Sequence, residues 1–522
     1  MRLMESFQMY DYIFRNATVI DGTGKEGFVA NVALFAGSIA FVGEQPITRG
    51  KNVIDCKGKI LCPGFIDMHC HTDLEVLRDR SAKARIGQGI TTDVTGNCGI
   101  GTFPYNNPYL KTLVGDVLGE YPDWAWSDYT SWKSYVDKGG VGSNQLYLVS
   151  HSALRVAVLG ESAGREASTD EIEKMCELLD EALSQGAYGL SSGLYYSPCL
   201  YANRDELLAL LKCVKKHDKI FAVHHRCEGN DVVASLKEVL DLAFETGVRL
   251  EVSHLKAIGN KNQDKVGTLL SMIDEYRAKG VDVKFDQYPY TFGSTSLFSL
   301  LPPSILAFSR YEQRLALSLE NERDDLKKEI LKPNGWDSIY EMVGPDNIKA
   351  IYLETHPELN GKTLSQIGTV LAKDPLDALF TVLSEETGLA VMEDVTTTEG
   401  NLKKIMSHDL MCFGSDSLYS SPLPHPRSYH STVEFLARYI RDEKVLSLEE
   451  GIRRMTGEPA LRLSLKRGLI KEGYPADLVV FDLNKLKVND DSTNSGFEYV
   501  FVNGMPAMAE GNLTGLRGGR VL

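Results

Sequence analysis

Six side chains of the kinds that bind divalent metals or carry protons stand out along the chain: His69, His71, Cys98, His224, His254 and Asp416. His69 and His71 are two residues apart, so on extended backbone both imidazoles point to one face while Cys70 points to the other. That spacing suits a shared metal. A cysteine thiolate combined with imidazole nitrogens suits Zn2+, with Fe2+, Co2+ or Mn2+ as alternatives at some positions. Asp416, in Phe413-Gly414-Ser415-Asp416, is a carboxylate that can bind metal, accept the proton of a metal-activated water and later deliver it to a leaving group. Each residue alone also has a bland reading: an apolar filler for the cysteine, a satisfied core residue for each histidine, a loop cap for the aspartate. Their shared placement separates the two readings.

Each follows a short predicted strand. Phe65 to Met68 leads into His69-Cys70-His71, Thr91 to Thr95 into Cys98, Ile220 to Val223 into His224, Val248 to Val252 into His254, and Met411 to Gly414 into Asp416. Between such strands lie amphipathic stretches; Ser168-Thr169-Asp170-Glu171 reads as the capping box of a helix through Ile172, Met175, Leu178, Leu179 and Leu183 to a stop at Gly186. Another helix is expected over Thr268 to Lys279, closed by Gly280. Strand and helix alternating over some 400 residues predict an α/β protein, a (β/α)8 TIM-type barrel whose active site sits at the C-terminal strand ends. An open doubly wound sheet is the alternative, but no G-x-G-x-x-G or Walker-type loop follows the early strands. His225, beside His224, faces away from any site that His224 faces and is structural. His217, His356, His408 and His430 have no special context, and His425 ahead of Pro426-Arg427 shapes a loop.

Both chain ends differ in texture. Ala17 to Ile20, Val32 to Phe35 and Ile39 to Val42 near the start, and Leu478 to Phe481 and Tyr499 to Val502 near the end, are short strands bounded by glycine turns. Isolated hairpins are marginal in water, so the two ends are expected to join in one small β-sandwich, residues 1–62 plus 465–522, around a barrel of residues 63–464. An insertion is expected at about 291–348, where Leu301-Pro302-Pro303 precedes a charged helical run from Glu312 to Leu331. With 56 Lys and Arg against 71 Asp and Glu, the formal charge of −15 argues against nucleic acid or an anionic membrane as partner. Nine cysteines without framework spacing suit a reducing cytoplasm, and neither a secretory leader nor a membrane span is expected.

Pro63-Gly64-Phe65-Ile66-Asp67-Met68-His69-Cys70-His71, the N-terminal Ile20-Asp21-Gly22-Thr23-Gly24 and the late Glu472-Gly473-Tyr474-Pro475-Ala476-Asp477-Leu478 together resemble the amidohydrolase superfamily. Gly96-Asn97-Cys98-Gly99, Ser191 through Pro198, His224-His225-Arg226-Cys227-Glu228, Ser253-His254-Leu255-Lys256, Asp286-Gln287-Tyr288-Pro289-Tyr290, Gly414-Ser415-Asp416 and His425-Pro426-Arg427 more narrowly resemble the N-acyl-D-amino-acid deacylases, or D-aminoacylases. The resemblance implies one tight zinc held by Cys98, His224 and His254, with His69, His71 and Asp416 on the side of a second, weaker metal position. It also implies that the cysteine stands where hydantoinases and dihydroorotases carry a carboxylated lysine, which favours a linear N-acyl substrate. A metal-bound hydroxide would attack the acyl carbonyl, with Asp416 as general base and then acid, releasing a carboxylic acid and a D-amino acid.

By the same resemblance, Lys256, Arg427, Tyr196, Tyr288 and Ser294 bind the substrate's α-carboxylate; a guanidinium fork, an ammonium and three hydroxyls are suited to that task. Arg226 and Glu228 are expected to form an ion pair that orients His224. Arg155 matches the family pattern without an assigned role. The segment Thr291 to Phe308 contains no Lys or Arg but has Leu297, Phe298, Leu300 and Leu301, so a neutral, mainly apolar side chain such as D-Met, D-Leu or D-Phe is expected over D-Glu or D-Asp. The competing functions are a cyclic-amide hydrolase of hydantoinase or dihydroorotase type, and a non-catalytic assembly protein on the same scaffold.

Overall fold

The computed structural model describes residues 9–491 and 493–522. Eight parallel strands close a ring: Phe65–Asp67, Ile90–Thr95, Asn144–Tyr147 running on into Val149–Ser150, Gly189–Gly193, Ile220–His224, Arg249–Val252, Val283–Gln287 and Met411–Phe413. Closure comes from the Met68 N–H, which donates to the Phe413 carbonyl at 3.1 Å, and from Ser417–Leu418 pairing in parallel with Cys70–His71. Nearly every residue of these strands is buried, as expected where helices cover one face of a sheet and side chains fill the barrel on the other. The helix Thr169–Ser184 shows how the outer layer is specified. Ser168 and Glu171 form the capping box, and Ile172, Met175, Leu179, Ala182 and Leu183 make the buried stripe that packs on the barrel.

The two chain ends meet in a nine-stranded sheet. Ile60–Pro63 is the seam, parallel to Tyr10–Val19 on one side and antiparallel to Leu478–Phe481 on the other. Phe14, Val19, Val32, Leu34, Leu61, Leu478, Val480 and Phe501 form its core. The last residues return to the barrel, where Gly519 bridges Val141 and Val521 bridges Gln145.

The inserted segment is longer than the expected 291–348. A four-stranded sheet orders Phe292–Ser296, Ala390–Val395, Ile348–Leu353 and Lys362–Thr363, with a core of its own that includes Leu297, Ile348, Leu379, Phe380 and Met392. The apolar run from Ile348 imitates a return to the barrel, but it pairs antiparallel with Ala390–Val395. The charged run expected over Glu312 to Leu331 is two helices, Arg310–Ser318 and Glu320–Leu331, parted at Leu319, whose backbone is extended. Among the described residues no helix is long and apolar enough to cross a membrane.

Candidate metal centre and substrate cavity

The structure brings all six candidate ligands together at the C-terminal ends of the barrel strands. Cys98 Sγ lies 3.3 Å from His69 Nε2, 3.7 Å from His254 Nε2 and 4.0 Å from His224 Nδ1. Asp416 Oδ1 is 3.4 Å from His69 Nε2 and 3.2 Å from His71 Nε2. Zinc bonds of ~2.0–2.3 Å at tetrahedral angles set neighbouring N and S donors about 3.3–3.6 Å apart, so the donor set and its spacing fit a zinc ion. His69 stands closer to the thiol than His224 does, and His69, Cys98, His254 and Asp416 form a set whose ligand atoms all lie within 4.8 Å of one another.

Three of these residues occupy the left-handed backbone region: Cys98 at φ 54°, His254 at φ 33° and Asp416 at φ 51°. Such conformations cost of order 1–3 kcal/mol each and persist only where surroundings impose them. The surroundings are visible. Gly96, at φ 82°, passes so close to the next strand that a Cβ would stand 2.5 Å from the Leu148 carbonyl, and the chain then turns Cys98 inward. The Asp416 N–H donates to the His69 carbonyl at 2.7 Å, and the His254 N–H to Asp286 Oδ1 at 2.9 Å.

A layer of carboxylates fixes the ligands. Asp286 Oδ2 is 3.2 Å from His69 Nδ1. Asp67 accepts the backbone N–H groups of His69 and Ser415 and pairs with buried Arg85, which also reaches Asp93 at 2.7 Å. Glu228 is 3.2 Å from His254 Nδ1, 3.4 Å from His224 Nε2 and 2.7 Å from Lys256 Nζ. The expected Arg226–Glu228 pair does not form. Arg226 turns outward to Glu238 and the Leu200 and Ala202 carbonyls, leaving Glu228 to serve both histidines. Arg155 is likewise structural: it pairs with buried Glu206, which holds His151 at 2.7 Å.

Charge follows from these contacts. Burial resists ionisation of Cys98, but the His69 charge and hydrogen bonds from the surrounding histidines outweigh it and hold the thiol well below its ordinary range. Burial also resists ionisation of Asp416, and Arg427 with His69 and His71 overcomes it, leaving the carboxyl well below the usual carboxylate range. Arg427 Nη1 is 2.8 Å from Asp416 Oδ2, and its other terminal nitrogen donates to the Ser294 carbonyl at 3.0 Å.

The centre opens into a cleft of about 470 Å3, and all five residues expected to bind substrate line it. Tyr288 lies between the cations, its ring centroid 5.0 Å from the Arg427 guanidinium and 6.0 Å from Lys256 Nζ. Tyr196 packs edge-on to His224, and its hydroxyl accepts from Thr295 at 3.3 Å. Among the remaining histidines, His225 faces away to Ser235, His217 pairs with Asp180, His356 with Glu385, His408 with Asp274 and His430 with Asn494. His425 does shape its loop, donating to the Phe292 carbonyl and accepting from the Arg427 N–H. Residue patterns alone did not single out Asp286 or Asp67; their signal was a carboxylate at the end of a barrel strand, the same one that marked Asp416.

The Amidohydrolase family model matches residues 52–285 and 350–507, and the chain belongs to that family. The chain is 31% identical to the D-aminoacylase of Alcaligenes xylosoxydans xylosoxydans over 99% of its own length and 98% of the relative's, and 32% identical to the N-acyl-D-aspartate deacylase of the same organism, over 98% and 95%. Its fold superimposes with a TM-score of 0.84, at 29% identity and over 99% and 100% of the two chains, on the N-acyl-D-glutamate deacylase of Bordetella bronchiseptica, solved with zinc and a phosphonate mimic of the tetrahedral intermediate. Within the amidohydrolases it is therefore a member of the N-acyl-D-amino-acid deacylases, or D-aminoacylases.

Proposed function

We propose that this protein hydrolyses the amide bond of N-acyl-D-amino acids with a metal centre built on Cys98, releasing a carboxylic acid and a free D-amino acid. The observation that carries the reading is the joint placement of thiol, imidazoles and Asp416 at the floor of a cleft whose walls hold Lys256 and Arg427. Cys98, His224 and His254, with His69 beside them, would hold the tight zinc; His69, His71 and Asp416 would form the weaker position. Zinc bound there would supply a water acidified towards neutral pH and would polarise the acyl carbonyl.

The chain's own residues do the rest. Asp416, kept ionised by Arg427, takes the attacking water's proton and returns it to the departing amine nitrogen, which leaves far more readily once protonated. Lys256, Arg427 and the hydroxyls of Tyr196, Tyr288 and Ser294 bind the α-carboxylate and so fix the hand of the substrate. Lys256 and Arg427 are taken up by Glu228, Asp416 and the α-carboxylate, and no other Lys or Arg among the described residues lines the cleft, so the enzyme favours neutral substrates over D-Asp and D-Glu derivatives. All nine cysteines are unpaired, which suits the reducing cytoplasm where we place the enzyme.

The test is turnover of N-acetyl amino acids in both enantiomers with zinc supplied and then chelated. Hydrolysis confined to the D series and lost on chelation is expected. Equal turnover of L substrates, or activity indifferent to chelation, defeats the reading.

A further inference from the structure

The cleft contains one buried acid that nothing in the fold uses. Asp394 is 4% exposed, sits in the central strand Ala390–Val395 of the inserted lobe and lines the cleft. Its Oδ2 has no hydrogen-bond partner. A buried polar atom without a partner costs of order 1–3 kcal/mol, a penalty that folds ordinarily remove by supplying a partner or by deleting the group. Every other carboxylate described at the cleft is engaged: Glu228 by Lys256, Asp416 by Arg427, and Asp337 by the backbone N–H groups of Gly229 and Asn230.

Strand pairing explains why Asp394 is uncovered. Its directly opposed neighbours are Ile348 on one side, which offers no donor, and Gly293 of the strand Phe292–Ser296 on the other. Cross-strand neighbours normally cover one another, and glycine has nothing to cover with. A Cβ built at Gly293 would stand 3.0 Å from Thr396 Cγ2, 3.4 Å from the Tyr288 hydroxyl and 3.6 Å from Asp394 Oδ1, so with glycine at this position no side chain of that strand stands between the Tyr288 hydroxyl and the acid. Ile258, Ile339 and Met342 supply apolar wall to the same cleft.

We propose that Asp394 is a specificity-determining residue, which accepts a hydrogen bond from the side chain of the D-amino acid and selects neutral side chains that carry a donor, such as the amides of D-Gln and D-Asn. This rests on the deacylase reading and deepens it. With the α-carboxylate held near Lys256 and Arg427 and the amide at the metal centre, the side chain points to the cleft wall where Gly293 leaves Asp394 bare. A carboxylate side chain would meet Asp394 as a like charge. An ammonium or guanidinium would meet Lys256 and Arg427, whose charges reach Asp394. A thioether of similar length would leave Asp394 without a partner, and a site with a buried polar group discriminates strongly against an analogue that lacks the matching group.

The experiment compares kcat/KM for N-acetyl-D-Gln, its near-isosteres N-acetyl-D-Met and N-acetyl-D-Glu, and N-acetyl-D-Lys, in the zinc-loaded enzyme and in Asp394→Leu and Asp394→Asn. The wild type is expected to favour D-Gln at least tenfold over each of the others. Asp394→Leu should lose that margin over D-Met by tenfold or more, with zinc content and thermal midpoint retained. Asp394→Asn, which keeps the shape without the charge, should narrow the D-Gln to D-Glu ratio by a similar factor. A wild-type enzyme that hydrolyses D-Met or D-Lys as fast as D-Gln, or a D-Gln to D-Met ratio unmoved in Asp394→Leu, overturns the role of Asp394 while leaving the deacylase reading standing. No turnover of any N-acetyl-D-amino acid by the zinc-loaded protein overturns both.

Discussion

At the scale of single residues, the Glu228 carboxylate faces His224, His254 and Lys256 at once. Burial alone would raise its pKa, yet His224, Lys256 and His254 hold it well below the ordinary range. Outer carboxylates of this kind set the tautomer and orientation of ligating imidazoles. Glu228→Gln should therefore weaken zinc affinity ~10–100-fold, measured by competition with a chelator, and should leave the Lys256 ammonium poorly compensated. Unchanged affinity would mean that Glu228 serves only to pair Lys256. The candidate ligands were legible in the sequence, since each follows a predicted strand and strand C-termini converge in a barrel. Glu228 was visible only as a member of a motif, and its pairing with Arg226 was misjudged: residues two apart share a face on a regular strand, but the strand Ile220–His224 has already ended there. Asp394 was not legible at all, because its meaning depends on a glycine about a hundred residues away in sequence.

At the scale of elements, the loops that follow the strands impose the unfavourable backbone of Cys98, His254 and Asp416. Gly96 is the clearest lever. Gly96→Ala demands both a left-handed alanine and displacement of the Leu148 carbonyl, whereas Gly335→Ala, at φ 75° with nothing within 4 Å, demands only the first. The Gly96 variant should lose at least about 2 kcal/mol more stability than the Gly335 variant in denaturant titrations, and should bind zinc substoichiometrically because Cys98 swings with its loop. Equal losses in the two variants would show that the loop yields without moving the thiol. Five of the barrel strands were readable as short runs ahead of a candidate ligand, whereas Gly189–Gly193 and Val283–Gln287, with the sequences Gly-Leu-Ser-Ser-Gly and Val-Lys-Phe-Asp-Gln, were not. The end of the inserted lobe was not, since a strand that pairs antiparallel inside a lobe and one that pairs parallel inside a barrel carry the same run of buried residues; Ile348–Leu353 is such a case.

At the scale of the whole molecule, the chain closes on itself twice, through the seam at Ile60–Pro63 and through the terminal residues that return to the barrel. Val521 is buried, its N–H donates to Asp137 Oδ1 at 2.9 Å, and the Leu522 N–H donates to the Gln145 carbonyl at 3.0 Å. Removing residues 514–522 forfeits ~1.5–3 kcal/mol for the valine and ~0.5–1.5 kcal/mol for each hydrogen bond. The truncated protein should melt several degrees lower in one cooperative transition that carries the barrel with it; an unshifted midpoint would show the tail to be a passive cover. The seam has a further consequence, in time rather than in space. Ile60–Pro63 emerges early from the ribosome, but its antiparallel partner Leu478–Phe481 is made roughly 415 residues later. At ~5–20 residues per second that is a wait of about 20–80 s, during which an apolar strand edge has no native neighbour and is open to pairing with other nascent chains. Slowed elongation should therefore lower the soluble yield of this protein more than that of a barrel whose β domain is contiguous.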